Sequence, residues 1–106
     1  MNYDYRVVTI TEGAISHNYF SVGSILNFFP NDAIGGANRG KSAEWKVKIF
    51  WGAGNPVRSD IAGDKKIFRE RSWAKNFYDA HKISDGDKVV IERISTYEYH
   101  IYPKRG

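Results

Sequence analysis

The clearest pattern in the chain is the alternation through Trp45-Lys46-Val47-Lys48-Ile49-Phe50-Trp51. Trp45, Val47, Ile49 and Trp51 fall on one side and both lysines on the other, the period of two expected of a half-buried strand. Gly52-Ala53-Gly54-Asn55-Pro56 reads as a turn, and Val57–Ile61 as a strand pairing back in a hairpin. Upstream, the β-branched run Tyr5–Ile10 predicts a first strand continuing toward Ile15, with Gly13 as a bulge. Ser16-His17-Asn18 is turn-like, and Tyr19-Phe20-Ser21-Val22 resumes as a short strand. Gly23-Ser24 opens a one- or two-turn helix carrying Ile25, Leu26, Phe28 and Phe29, which Pro30 ends.

Asn31–Ser42 holds Gly35-Gly36 and Asn38-Arg39-Gly40 and reads as a loop; irregular stretches of that length tend to carry function. Trp73 and Phe77, with Ala80 and His81 on the flank, recur at helical spacing through Ser72–Lys82, and Ser72 is the expected N-cap. Asp85-Gly86 turns the chain into a strand over Lys88–Ile94, and Ser95-Thr96 separates it from a last strand over Tyr97–Tyr102. The alternating aromatics Trp45, Trp51, Tyr97, Tyr99 and Tyr102, and Trp73 on its helix, read as core or sheet-wall residues. His81 and His100 read as structural. The order predicts a mostly β fold with two short helices, a small open antiparallel β-barrel.

Composition narrows what such a barrel does. At 106 residues, positions 1–106 make one domain with one core. The absence of cysteine removes disulfides, thiolate metal sites and cysteine nucleophiles. His17, His81 and His100 have no metal-ligand spacing, and no phosphate-cradling loop, dinucleotide fingerprint or activated nucleophile is present, so no cofactor is expected. No apolar run approaches membrane-spanning length and no signal-peptide pattern opens the chain, so no membrane partner and a cytoplasmic location are the expectation.

The net charge is +4, and its placement matters more than its size. Residues 1–40 contain only the cations Arg6 and Arg39, whereas 41–81 hold nine lysines and arginines. A basic middle suggests a polyanionic partner. Its densest part is Asp64-Lys65-Lys66-Ile67-Phe68-Arg69-Glu70-Arg71, directly before the second helix. A helix anchored by Trp73 and Phe77 would hold this stretch rigidly. In an extended segment, side chains two apart point the same way, so Arg69 and Arg71 would enter one groove together. An arginine forked onto guanine discriminates by about 1–3 kcal/mol. Glu70 among these cations fits a carboxylate accepting from cytosine, orienting the arginines, or forming an ion pair within the loop. Lys65 and Lys66 would add salt-sensitive, sequence-independent affinity.

Several of these stretches together resemble one family. Phe29-Pro30-Asn31-Asp32-Ala33-Ile34-Gly35-Gly36, Ser59-Asp60-Ile61, Ile67-Phe68-Arg69-Glu70-Arg71 before Trp73 and Phe77, and Gly86-Asp87-Lys88-Val89-Val90-Ile91 are similar to the DNA-binding pseudobarrel of B-three type. That family is shared by plant transcription factors and by recognition domains of some bacterial restriction endonucleases, and the likeness, over about residues 6–102, leans to the restriction-enzyme branch with its EcoRII-type effector domains. It implies a grip on the major groove of double-stranded DNA by two arms, and the arginine and glutamate chemistry makes a short G·C-containing site the expected target. The first arm would be the loop of Ser16, His17, Asn18 and Tyr19. The second would be Lys65, Lys66, Arg69, Glu70 and Arg71, supported by Arg58 and Asp60. Asn38, Arg39 and Lys41 would lie beside the groove on phosphates. Tyr19 could instead seed the core. The domain is expected to be non-catalytic, with any nuclease domain elsewhere in the same polypeptide.

Two other classes fit parts of the sequence. Asp32 followed by Glu44-Trp45-Lys46, or Asp60 with Asp64-Lys65-Lys66, imitates the acidic and Glu-x-Lys groups of Mg²⁺-dependent nucleases. A barrel binding an acidic protein would share the salt dependence of DNA binding but not its sequence dependence.

Overall fold

A computed structural model describes Asp4–Arg105. Five strands, β1 (Tyr5–Thr9), β3 (Val47–Phe50), β4 (Val57–Ser59), β7 (Lys88–Ser95) and β8 (Glu98–Pro103), form a sheet in the order β1-β7-β8-β3-β4. A smaller sheet pairs β2 (Ile34–Gly35), β5 (Ile61–Ala62) and β6 (Ile67–Phe68). The helices are α1 (Glu12–Ser16) and α2 (Ser72–Ala80), with 3₁₀ turns over Gly23–Phe28, Asn31–Ala33 and Arg39–Lys41. The fold is thus mostly β and open, as expected. Pairing is antiparallel except for two parallel ladders, β3 on β8 and β2 on β5.

The core lies between the two sheets and α2. Val47 and Ile49 on β3, Ile91 on β7 and Ile101 on β8 are fully buried. They meet a cluster of rings: Phe20, Phe29, Phe68, Trp73, Phe77 and Tyr99. In α2 the buried residues are Trp73, Ala74, Phe77 and Tyr78, spaced by three and four, so one face of a short helix is anchored along its length. Large rings let a small domain bury much apolar area with few residues.

Four local expectations change. Ile15 belongs to α1, not to a continued strand: Thr11 caps this helix, its Oγ1 accepting from the Ala14 amide at 3.2 Å, and Asp85 accepts from the Glu12 amide. Gly13 is therefore helical and makes no bulge. The Tyr19–Val22 segment contributes only the bridge Ser21–Ile67. Trp45 precedes β3 and stays half exposed, its amide bonded to the Asp32 carbonyl and its ring stacked on Tyr97 at 5.5 Å. Val57–Ile61 is not one strand, because the chain leaves the large sheet after Ser59 and enters the small one at Ile61. Asp60 occupies that crossing.

Candidate nucleic-acid interface

The second arm emerges from β6 and is fixed at both ends. At its base, Phe68 and Ile67 are buried. At its top, Trp73 donates its indole N–H to the Glu70 carbonyl at 2.8 Å, and Glu70 Oε1 accepts the Ser72 amide at 2.9 Å. The N-cap position is Arg71 and makes no side-chain cap bond, so Ser72 is not the expected cap; the Glu70 carboxylate satisfies the helix start in its place. The expected helical brace is present, with Glu70 as part of it.

Arg69 has a different task from the expected one. Its Nε donates to Asp60 Oδ1 at 2.8 Å and its Nη2 to Asp60 Oδ2 at 3.1 Å and to the Gly36 carbonyl at 2.6 Å. Arg69 is 11% exposed and Asp60 2%. Asp60 Oδ2 also accepts the Ala43 amide at 2.8 Å. Burial pushes the Asp60 carboxyl up, but the guanidinium and the Ala43 amide outweigh burial and hold it below the ordinary carboxylate value. Where a guanine-reading role was expected of Arg69, the structure shows its fork engaged by a desolvated carboxylate, so that Arg69 ties the second arm to the Gly35–Ala43 loop. Gly35 is required there, since a Cβ would stand 2.5 Å from the Ala43 nitrogen and 2.7 Å from the Lys41 carbonyl oxygen, both backbone atoms.

The first arm lies directly against the second. The Val22 amide donates to the Lys66 carbonyl at 2.8 Å and the Phe68 amide to the Phe20 carbonyl at 3.2 Å, on either side of the Ser21–Ile67 bridge. Arg71 reaches back across the gap, Nη2 to the His17 carbonyl and Nε to the Asn18 carbonyl at 3.3 Å, with its guanidinium 6.0 Å from the Tyr19 ring centre. Tyr78, from α2, donates its hydroxyl to the Tyr19 carbonyl at 2.7 Å; burial pushes this phenol far above its ordinary value, so it stays protonated as the donor. Both arm tips turn through left-handed residues, Asn18 (φ 56°) and Lys66 (φ 59°).

Between the arms lies an open cleft of about 530 Å³ lined by His17, Tyr19, Ser21, Lys65, Ile67 and Arg71. A neighbouring one of about 290 Å³ brings Asn38 to Lys65, Arg69 and Arg71. Ile67, Arg69 and Arg71 share this side as the period of two requires, although the Arg69 head is turned into Asp60. Residues from three separate stretches of the chain therefore converge on one basic face. Ser21 and Ile67 were not singled out from sequence; their signal was only position, two residues past Tyr19 on one arm and one past Lys66 on the other.

The other named residues divide. Ser16 is turned back, its hydroxyl donating to the Glu12 carbonyl at 2.6 Å. Lys66 packs beside Gly23, and its exposed position leaves its charge in solvent. Lys41 is exposed on the loop that Gly36 and Asn38 close. Arg39 begins a 3₁₀ turn, and its side chain lies outside the described residues. Arg58 is exposed on β4. Of the acidic groups that imitate a nuclease, Asp60 is consumed by Arg69 and Asp32 accepts the Tyr97 hydroxyl at 2.8 Å. Among the described residues no group of three or more histidines and carboxylates is placed to hold a metal ion, and no helix is long and apolar enough to cross a membrane.

No family model and no curated protein sequence matches this chain. Among solved structures, the chain is similar to the N-terminal domain of Helicobacter pylori LlaJI.R1, with a TM-score of 0.57 over 96% of this chain and 88% of that one, at 10% sequence identity. At that identity the likeness is one of fold.

Proposed function

We propose that this domain binds double-stranded DNA in a sequence-specific manner through the face between its two arms, and that it is the non-catalytic recognition part of a restriction endonuclease. The observation that carries this reading is the cleft itself: His17 and Tyr19 from one stretch and Lys65 and Arg71 from another, some fifty residues on, line one preorganised basic groove. The shared fold with LlaJI.R1, a restriction-modification protein, supports DNA as the partner. Arg71 is the base reader. The two carbonyls it now holds, those of His17 and Asn18, make the same demand on a guanidinium fork as the O6 and N7 edge of guanine. His17 and Asn18 meet neighbouring bases, and Lys65, Lys66, Asn38, Arg39 and Lys41 take phosphates. An arginine reader makes a short G·C-containing site the expected target.

Selection from a randomised duplex library, followed by binding of the winner and its scrambled control, tests this. Arg71→Ala should abolish discrimination at one base pair, a loss of about 1–3 kcal/mol on the selected site only. Lys65→Ala should weaken both duplexes alike and lower the salt slope by about one. Equal affinity for selected and scrambled DNA, or cleavage of plasmid by this chain with Mg²⁺, overturns the reading.

A further inference from the structure

The cleft beside Asn38 shares Arg69 with a third, lined by Ser42, Lys46, Arg58, Ser59, Asp60 and Glu70. The basic face thus continues past the arms onto the edge of the large sheet. There Lys48 stands directly across from Arg58 in the β3–β4 ladder. Lys46, just before β3, lines the same cleft as Arg58. Like charges facing each other across a ladder repel. Glu98, opposite Lys48 on β8, relieves one flank only, and it also accepts the Ser95 hydroxyl at 2.8 Å. Among the described residues no ion pair engages Lys46 or Arg58, and the Glu70 carboxylate in the same cleft caps α2. Lys46 and Arg58 are exposed, and Lys48 is half-buried with its ammonium 5.2 Å from the Phe50 ring centre; the three cations outnumber the acids beside them, Glu98 and the helix-capping Glu70, and are arranged for a polyanion.

We infer that Lys46, Lys48 and Arg58 form a second phosphate-binding surface, which takes the backbone of the same duplex beyond the bases that the arms read. The inference rests on the DNA-binding reading above. The molecule measures 37 × 36 × 26 Å. One turn of B-form duplex is about 34 Å, so a duplex seated on the arms runs on over neighbouring protein surface. The ridge acts through its charge on phosphates, and its contribution is independent of sequence.

The test compares the wild type with a Lys46→Gln/Lys48→Gln/Arg58→Gln variant on the selected duplex, its scrambled control, and a selected duplex trimmed to the bases that the arms cover. The three sites are at the surface, and a wild-type circular dichroism spectrum and melting profile establish that the variant folds. A Lys46→Gln/Arg58→Gln variant, which keeps the half-buried Lys48, serves if the triple does not. The slope of log affinity against log salt on the full-length duplex should fall by about 2.7, since each phosphate contact contributes about 0.9. The ratio of selected to scrambled affinity should be unchanged, and on the trimmed duplex the variant and wild type should converge. An unchanged slope with intact discrimination overturns the ridge and leaves the arms standing. Loss of discrimination with the slope also overturns it, because the residues would then be reading bases. A wild type without sequence preference instead sinks the reading on which the ridge rests.

Discussion

The two arms face the same cleft, yet they are held in opposite ways. The second arm is anchored from beneath by side chains of the core and its rim: Arg69 in Asp60, Trp73 on the Glu70 carbonyl, Ser59 Oγ accepting the Glu70 amide at 2.9 Å. The first arm brings a cap of its own at Thr11 and the main-chain bonds of its helix end, His17 N–H to the Gly13 carbonyl at 3.0 Å and Tyr19 N–H to the Ala14 carbonyl at 3.1 Å, but its tip is tied to the rest of the domain by what its neighbours lend it. Arg71 holds the His17 and Asn18 carbonyls, Lys66 and Phe68 supply the main-chain partners, and Tyr78 holds the Tyr19 carbonyl. The difference makes the second arm a scaffold and the first arm its dependant. Changes in the second arm should disturb both, and changes in the first arm should stay local.

The largest effect is expected at the anchor. Arg69→Ala leaves the Asp60 carboxylate buried without its cation, and breaking a buried pair in this way costs about 3–5 kcal/mol. Urea unfolding should show a loss of that order, together with loss of DNA binding on every sequence. The pH dependence sharpens the point. In the wild type, Asp60 is held below its ordinary value, so its stabilisation is complete above the unfolded-state value and is lost as the pH falls through the folded-state one. Without Arg69, burial is opposed only by backbone amides, those of Ala43 and of Asp60 itself, and the acid limb of the stability profile should flatten. Wild-type stability in Arg69→Ala would mean that the arm is held by something else.

A smaller and more local effect is expected from Tyr78→Phe. It removes the bond to the Tyr19 carbonyl without opening a cavity, at a cost of about 1–2 kcal/mol. Hydrogen exchange should speed up in the first arm, at the amides of His17 to Tyr19, while the second-arm amides of Arg69 and Glu70 keep wild-type protection. Equal loss of protection in both arms would erase the distinction drawn between them.

This asymmetry also explains what could be read in the sequence. The alternation around Val47 and Ile49 and the helical spacing of Trp73 and Phe77 are local patterns, and both elements form where expected. The basic stretch on a helical brace is likewise continuous in sequence, and its place on the cleft follows. What could not be read is long-range partnership. Arg69 and Arg71 differ by nothing in sequence except their distance from an acid nine residues away, and only the chain crossing at Asp60 makes one a brace and leaves the other at the cleft. Trp45 continued the strand pattern perfectly, yet the Asp32 carbonyl takes its amide and the strand begins two residues later. Thr11 with Glu12 in the first turn is a helix start legible in the sequence, but the β-branched run before it carries a period of two that predicts strand in its place.

The finest test of the comparison is Arg71→Lys, which should hardly change stability. Arg71 is exposed, and its two acceptors lie on an arm that other bonds also hold, so the cost should stay within about 0.5 kcal/mol. Lysine keeps the charge and loses the planar fork. Phosphate attraction should therefore persist, with an unchanged salt slope on scrambled DNA. Discrimination for the selected site should fall, because an ammonium cannot engage the O6 and N7 of guanine as a rigid pair. The amides of His17 to Tyr19 should exchange faster than in the wild type, though less than in Tyr78→Phe, since the fork that bridged two carbonyls becomes a single mobile donor. If discrimination is lost while first-arm exchange stays at the wild-type rate, then Arg71 reads DNA but does not hold the first arm, and that arm is less dependent on its neighbour than its hydrogen bonds imply.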